Sequence, residues 1–234
     1  TEVVRSLVKD GGKVLDTAPA YGTAEAVVGD LVQNTGLRKS IFLATKLERF
    51  DRATGMDQLR ASLQRLHADR VDLMQLHNVR DPQTDLAMVR EWKAMGLCRY
   101  VGITTTNERA YDAAEAIVKR EKPDFLQIDY ALDNRRAEER LLPTAADNGV
   151  AVLTALPFGR GRLFRNVRSN VMPEWAKDFG AANWAQFFLK YLLGNSAVTC
   201  VIPGTANAEH MTDKLNAGRG PLPNAAQRAQ MARY

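Results

Sequence analysis

The chain has 234 residues, 45% of them hydrophobic and 25% charged, a mix that excludes a disordered, collagen-like or coiled-coil protein. Lys and Arg number 32 against 27 Asp and Glu, a net charge of +5; no strip of aromatic and basic residues accompanies it, so a nucleic-acid partner is not expected. No run of about 18 apolar residues occurs, so no transmembrane helix and no membrane partner are expected.

In chain order, the amphipathic stretch 2–9 predicts a helix and the apolar run 13–17 a strand. Helix 24–33 and strand 41–45 follow, then helix 57–66, strand 71–76 and helix 86–95. Next come strand 100–103, helix 110–120, strand 125–129, helix 136–148, strand 150–156, helix 184–193 and strand 198–202. The strand runs are apolar on both faces, as buried parallel strands are. Gly36, Gly96, Gly149 and Gly194 read as helix stops. Strands alternating with helices of this length mean βα units around a parallel sheet.

Seven strands are counted, and the chain opens on a helix. A (β/α)8 barrel takes about 250 residues. The expected fold class is therefore α/β, a (β/α)8 TIM barrel without its first strand, as one domain over residues 1–234. The sheet should be open between its first and last strands. A further strand is expected ahead of Thr1, and an export signal could lie only in such an upstream segment. A doubly wound sheet would want a Gly-rich fingerprint after the first strand; the turn here reads Ala18-Pro-Ala-Tyr-Gly22.

Chemistry in such a barrel collects at the C-terminal ends of the strands. The first strand ends in Asp16, with Tyr21 in the loop beyond; the second ends in Lys46 and the third in His77. Each alone has a plain structural use: a cap, a snorkelling amine, a rim imidazole, a packed ring. Together, on three adjacent strand ends, they form a proton donor. A lysine cation stabilises a phenolate, a carboxylate orients the lysine, and a histidine bonds a substrate oxygen or relays a proton.

These residues carry a resemblance. Asp16-Thr-Ala-Pro-Ala-Tyr21-Gly22, Ala44-Thr-Lys46 and Asp72-Leu-Met-Gln-Leu-His77-Asn78 resemble the aldo-keto reductases, in which these Asp, Tyr, Lys and His form the catalytic tetrad. The likeness continues through Tyr100-Val-Gly-Ile, Leu126-Gln127-Ile-Asp-Tyr130, Pro157-Phe-Gly-Arg-Gly161 and Ile202-Pro-Gly-Thr205. It implies hydride transfer from NADPH to an aldehyde or ketone. It also implies that Gln127 meets the nicotinamide carboxamide, and the polarity of Gln127 in an otherwise apolar strand independently asks for a partner.

The loop Pro157, Phe158, Gly159, Arg160, Gly161, Arg162, Leu163 follows the sixth strand. Its glycines would let backbone N–H groups reach phosphate oxygens, and its arginines add charge. Beyond the last strand, Gly204 opens a segment entering a helix whose N-terminus favours an anion. The resemblance implies that Thr205, Ala206 and His210 touch the adenosine 2′-phosphate, and Asp213 and position 214 the adenine. This sequence departs from the family most in the missing first strand, whose loop would help wall the cofactor and substrate, and at three further places. Thr104 stands where relatives carry Ser-Asn or His. Lys214 replaces an asparagine facing adenine. The loop after His77 is short, which opens the substrate mouth.

Other readings keep the scaffold and change the role. One is a nicotinamide-nucleotide sensor with weak or no turnover. Another makes Lys46 a Schiff-base nucleophile, which a neighbouring carboxylate opposes by holding the amine protonated. The two cysteines, Cys98 and Cys200, and three scattered histidines show no metal spacing. Reduced thiols fit a cytoplasmic protein, here a monomer or weak oligomer acting on a small carbonyl compound.

Overall fold

Seven strands alternate with helices in a computed structural model that describes all 234 residues. The chain runs α1 (Glu2–Lys9), β1 (Val14–Asp16), α2 (Ala24–Thr35), β2 (Phe42–Leu47), α3 (Arg52–Arg65), β3 (Val71–Leu76), α4 (Ala87–Ala94), β4 (Cys98–Thr105), α5 (Tyr111–Glu121) and β5 (Phe125–Asp129). It continues through α6 (Leu141–Asp147), β6 (Ala151–Ala155), α7 (Arg162–Asn166), α8 (Trp184–Leu193), β7 (Cys200–Val201), α9 (Ala208–Asn216) and α10 (Ala225–Arg233). The strands pair in sequence order, all parallel.

The sheet is curled. Neighbouring strands sit about 4.8 Å apart, so in a flat sheet β2 and β5 would be separated by roughly three such spacings. Yet the Phe42 and Phe125 rings lie 5.7 Å apart, with Tyr100 6.0 Å from Phe42 and 5.5 Å from Phe125. These rings sit near the strand starts and plug the lower end of the barrel interior, under Ala44, Leu73 and Leu153. The larger core, 41 buried residues, lies between the outer face of the sheet and the helices.

β1 and β7 do not pair. A cavity of 660 Å³, mostly apolar, separates them and is lined by Val14, Asp16, Val201 and Gly204 among others. Helices close over the seam from outside: Thr212 of α9 donates to Asp10, the residue that ends α1, at 2.6 Å. The expected opening between the first and last strands is thus present.

Three expectations need correction, and one helix was missed. Helix 136–148 is broken into a 3-10 turn at Arg136–Glu138 and α6. Pro143 is the reason, since proline lacks an N–H and is tolerated only in a helix's first turn. Helix 57–66 instead begins at Arg52, capped by the Asp51 side chain accepting from Thr54 N. Gly55, near its start, has no side chain because a Cβ would sit 2.7 Å from Met88 Sδ. Gly194 is not a left-handed stop. Its φ is −71°, and what forbids a side chain is Pro223 O, 2.7 Å from where a Cβ would stand. Finally, α10 was not expected at all; its signal was the capping box of Asn224 and Gln227.

Candidate active site

β1, β2 and β3 end side by side and deliver Asp16, Lys46 and His77 to one mouth. Asp16 closes β1, and Lys46 is the fifth residue of β2, in register with Gln75 of β3. Lys46 is almost wholly enclosed, its side chain 1% exposed, and a buried amine persists only if paired. It donates to Asp16 Oδ2 at 2.6 Å and to the Thr17 carbonyl at 2.8 Å.

Tyr21 is half-exposed in the loop after β1. The Lys46 amine lies 4.8 Å from its ring centroid, so the cation faces the ring and bonds the carboxylate, not the hydroxyl. His77 approaches the Tyr21 ring edge-on, centroids 5.9 Å apart. All four side chains expected at the site are together.

Three further residues belong to the same cluster. Gln75 donates from Nε2 to Asp16 Oδ1 at 3.1 Å, while its buried Oε1 has no partner. Gly102 lies beside it; a Cβ there would stand 2.8 Å from Phe125 O and 3.2 Å from Gln75 Cγ. Thr17 supplies the carbonyl under Lys46. Glu48, beyond the end of β2, places Oε1 2.6 Å from His77 Nδ1. Gln75 was detectable as a polar residue on a buried strand, the same signal that marked Gln127. Glu48 was detectable from strand alternation, which puts positions 46 and 48 on one face.

The loop after His77 folds back onto β4. Asn78 takes a left-handed φ of 53°, its N–H donates to Thr104 Oγ1 at 2.8 Å, and its Oδ1 accepts from Thr106. Thr104 Oγ1 is thereby an acceptor whose own proton remains to be given. A polar cavity of 480 Å³ opens here, lined by Glu48, His77, Asn78, Arg80, Asp81 and Asp85 among others.

Across the barrel, Gln127 of β5 pairs in register with Thr104. It is buried and its Nε2 has no hydrogen-bond partner, an unsatisfied donor that fits a carboxamide or similar acceptor. The loop 157–163 departs from its expected use. The N–H groups of Gly159 and Gly161 are spent within the loop, on Leu156 O and Phe158 O. Gly159 is required by the Asp133 carboxylate, 2.7 Å from where its Cβ would be. Arg162 is bound to Asp133 at 2.8 Å, whereas Arg160 is exposed and makes no ion pair. Pro157 and Leu163 are buried, and Phe158 packs on Phe164.

The loop beyond β7 meets this one through Lys214, whose amine lies 5.4 Å from the Phe158 ring centre and donates to Gly204 O at 2.8 Å. Burial holds the Lys214 amine below its usual range, against the opposing charge of Asp213. The first N–H groups of α9 are already capped by Asn207, and Thr205 Oγ1 accepts from Asn207 N. Asp213 Oδ1 accepts from Asn183 and Gln186 of α8. Ala206 and His210 are exposed. Gly204, Thr205, Ala206 and Lys214 line the seam cavity together with Asp16, so the two halves of the site share one wall.

No group of three His, Cys, Asp or Glu residues converges as a metal site would. Burial pushes the Cys98 thiol up to about 12 and the Cys200 thiol up to about 11, so neither is a ready nucleophile. No helix is long and apolar enough to cross a membrane.

Comparison with known proteins bears on the fold and the family. Aldo-keto reductase str7 of Strobilurus tenacellus is 28% identical over 242 residues, covering 86% of this chain and 71% of that protein. Aldo-keto reductase YhdN of Bacillus subtilis is 30% identical over 178 residues, 69% of this chain and 53% of its own. An aldo/keto reductase from Klebsiella pneumoniae, solved in complex with NADP and acetate, superposes with a TM-score of 0.81 at 25% identity, over 99% of this chain and 84% of that one. The seven-stranded sheet is thus a (β/α)8-type barrel with seven of its strands in this chain. A model of the aldo/keto reductase family matches residues 1–229, and the chain belongs to that family.

Proposed function

We propose that this chain reduces an aldehyde or ketone with NADPH, with Tyr21 as proton donor. The observation that carries the reading is the buried Lys46 amine, 2.6 Å from Asp16 and 4.8 Å from the Tyr21 ring centre. The relatives support it: the chain's family is one of oxidoreductases, and the Klebsiella protein of similar fold binds NADP. Bound NADPH would supply the hydride.

The chain's own residues do the rest. Asp16 keeps Lys46 charged and aimed, because a carboxylate at this distance favours the ammonium. The ammonium then stabilises negative charge on the Tyr21 oxygen as its proton leaves for the carbonyl oxygen. The ion pair with Asp16 also opposes use of Lys46 as a Schiff-base nucleophile, which needs a neutral amine. Gln127, through its unpaired Nε2, and Thr104, through its free proton, would hold the carboxamide. Pro157, Phe158, Gly159, Gly161 and Leu163 would wall the cofactor, and Arg160, Thr205, Ala206, His210, Asp213 and Lys214 would surround its adenosine end.

The test is NADPH consumption over a panel of aldehydes and ketones. Tyr21→Phe should lower kcat by about 10²–10⁴-fold, the worth of a positioned acid, while cofactor fluorescence titrations stay unchanged. A variant that keeps most of its activity would remove Tyr21 from the role. Binding of NADPH without turnover of any carbonyl would favour a sensor.

A further inference from the structure

Arg120 stands in the last turn of α5, yet its side chain reaches a loop that follows β3. Its Nη1 donates to the Pro82 carbonyl at 2.5 Å and its Nη2 to the Thr84 carbonyl at 2.6 Å. Both carbonyls belong to residues 77–86, which join β3 to α4. The Nε of Arg120 donates to Glu121 Oε1 at 2.9 Å, so the planar guanidinium is held on one side by a carboxylate and spends both ends of its fork on the loop.

The loop has little else to fix where it sits. Val79 and Leu86 are buried, but no side chain between them is. Its tip is a local turn: Asp81 Oδ1 accepts from Gln83 N at 2.8 Å, and Asp81 O accepts from Thr84 N at 3.0 Å. Asp85 accepts from Ala87 N, the first residue of α4. Such ties shape the turn without placing it against the barrel. Arg120 is the one residue distant in sequence that bonds residues 80–85.

Placement matters because this turn is a wall of the mouth. Asp81, Gln83, Thr84 and Asp85 line the polar cavity beside Asn78. Thr84 therefore faces the cavity while its carbonyl is taken by Arg120. A guanidinium stays charged at every pH at which the protein is folded, so this clamp does not titrate.

We propose that Arg120 is a positioning residue for the mouth: through two loop carbonyls it holds residues 81–85 in the shape that lines the cavity, without touching substrate or cofactor. The clamp stands on these contacts alone, whereas its effect on a carbonyl compound rests on the reductase reading above. A substrate that needs the ordered wall binds in proportion to the fraction of molecules that have it. Loss of the clamp therefore raises KM and leaves the proton and hydride steps as they were.

Two measurements test it. Arg120→Met keeps a helix-forming residue with an unbranched stem and removes the fork. Amide exchange at Gln83 and Thr84, the N–H groups that close the turn, should speed up by about tenfold or more, the worth of one charged hydrogen bond. Arg120→Lys keeps the charge without the fork and should fall between the two. Arg90→Met is the control, because Arg90 binds the same Glu121 at 2.7 Å and touches no loop carbonyl; its turn should exchange as in the wild type. Unchanged exchange in Arg120→Met, or equal acceleration in Arg90→Met, would overturn the clamp.

The second measurement is steady-state kinetics on the best carbonyl compound of the panel. Arg120→Met should raise KM by about tenfold, as the ordered fraction falls by the same factor. Its kcat, the pH profile of kcat and the NADPH affinity should match the wild type. An unchanged KM, or a loss shared by kcat and NADPH affinity, would overturn the positioning role. Faster exchange in the turn together with no carbonyl turnover by the wild type upholds the clamp and sinks the reductase reading instead.

Discussion

Lys46 shows how much rests on one side chain. Its amine is removed from water and repaid by one carboxylate and one carbonyl. Replacing it by methionine keeps the length and leaves Asp16 with a single weak donor, Gln75 Nε2 at 3.1 Å. Stranding one member of a buried pair costs about 3 kcal/mol. Lys46→Met should therefore lower unfolding stability by that order in urea titrations, besides abolishing reduction. A variant as stable as wild type would mean that Asp16 regains water when the amine is gone. Among the basic residues around the proposed adenosine end, Arg162 is taken by Asp133 and Lys214 by Gly204 O, so Arg160 and His210 remain without partners. Arg160→Ala should then weaken NADPH binding by about tenfold, one charged hydrogen bond, and leave NADH binding alone. The difference should shrink as salt rises. Equal losses for both cofactors would show that Arg160 does not meet the extra phosphate.

Helices α5 and α6 are joined by a carboxylate. Glu115 of α5 lies 2.6 Å from Arg140, just ahead of α6, accepts from Lys119 at 2.5 Å, and is reached by Thr144 of α6. Burial alone would raise its carboxyl, but the hydrogen bond from Lys119 and the charge of Arg140 outweigh this and hold it below the usual 4.5. A carboxyl lowered in the folded state adds stability above its unfolded value and loses it as pH falls through the folded one. Glu115→Gln should thus lower Tm most at neutral pH, with the gap closing below about pH 4. A gap independent of pH would assign the loss to shape alone. Elements of this kind differ in how far the sequence announces them. The strands at 71–76 and 125–129 and the helix at 184–193 stand where their patterns put them. Two-sided burial writes an unbroken apolar run, and α8 presents Phe187, Phe188, Tyr191 and Leu192 to the core. α10 buries only Met231, so it has no apolar stripe to read. In the site, Asp16, Lys46 and His77 were legible because each stands at or beside the end of a strand. The use of Arg162 and of the glycine N–H groups was not, because it depends on Asp133 and on the loop's own turn, which no local pattern encodes.

At the scale of the whole molecule, the sheet has two edges where a closed barrel has none. β1 is three residues long and β7 two, the shortest strands of the seven. Thr17 N donates to Ala44 O on the β2 side. Since N–H direction alternates along a strand, Val14 and Asp16 point theirs toward the seam, where no strand accepts them. β3 and β4, flanked on both sides, carry the most extensive pairing in the sheet. Local opening free energies follow such differences in hydrogen bonding and enclosure. Amide exchange in the 234-residue chain should therefore be fastest among the strands at Val14 and Asp16, and slowest at Met74 and Ile103, whose opening approaches global unfolding. The seam carries Asp16 on one side and Gly204 on the other, so a ligand bridging the two should slow exchange at Asp16 more than at Ile103. Adding NADPH during exchange measures this directly. Uniform protection across β1 and β3 without ligand would mean that the seam is closed in solution, and the split between a rigid centre and a loose edge would fall with it.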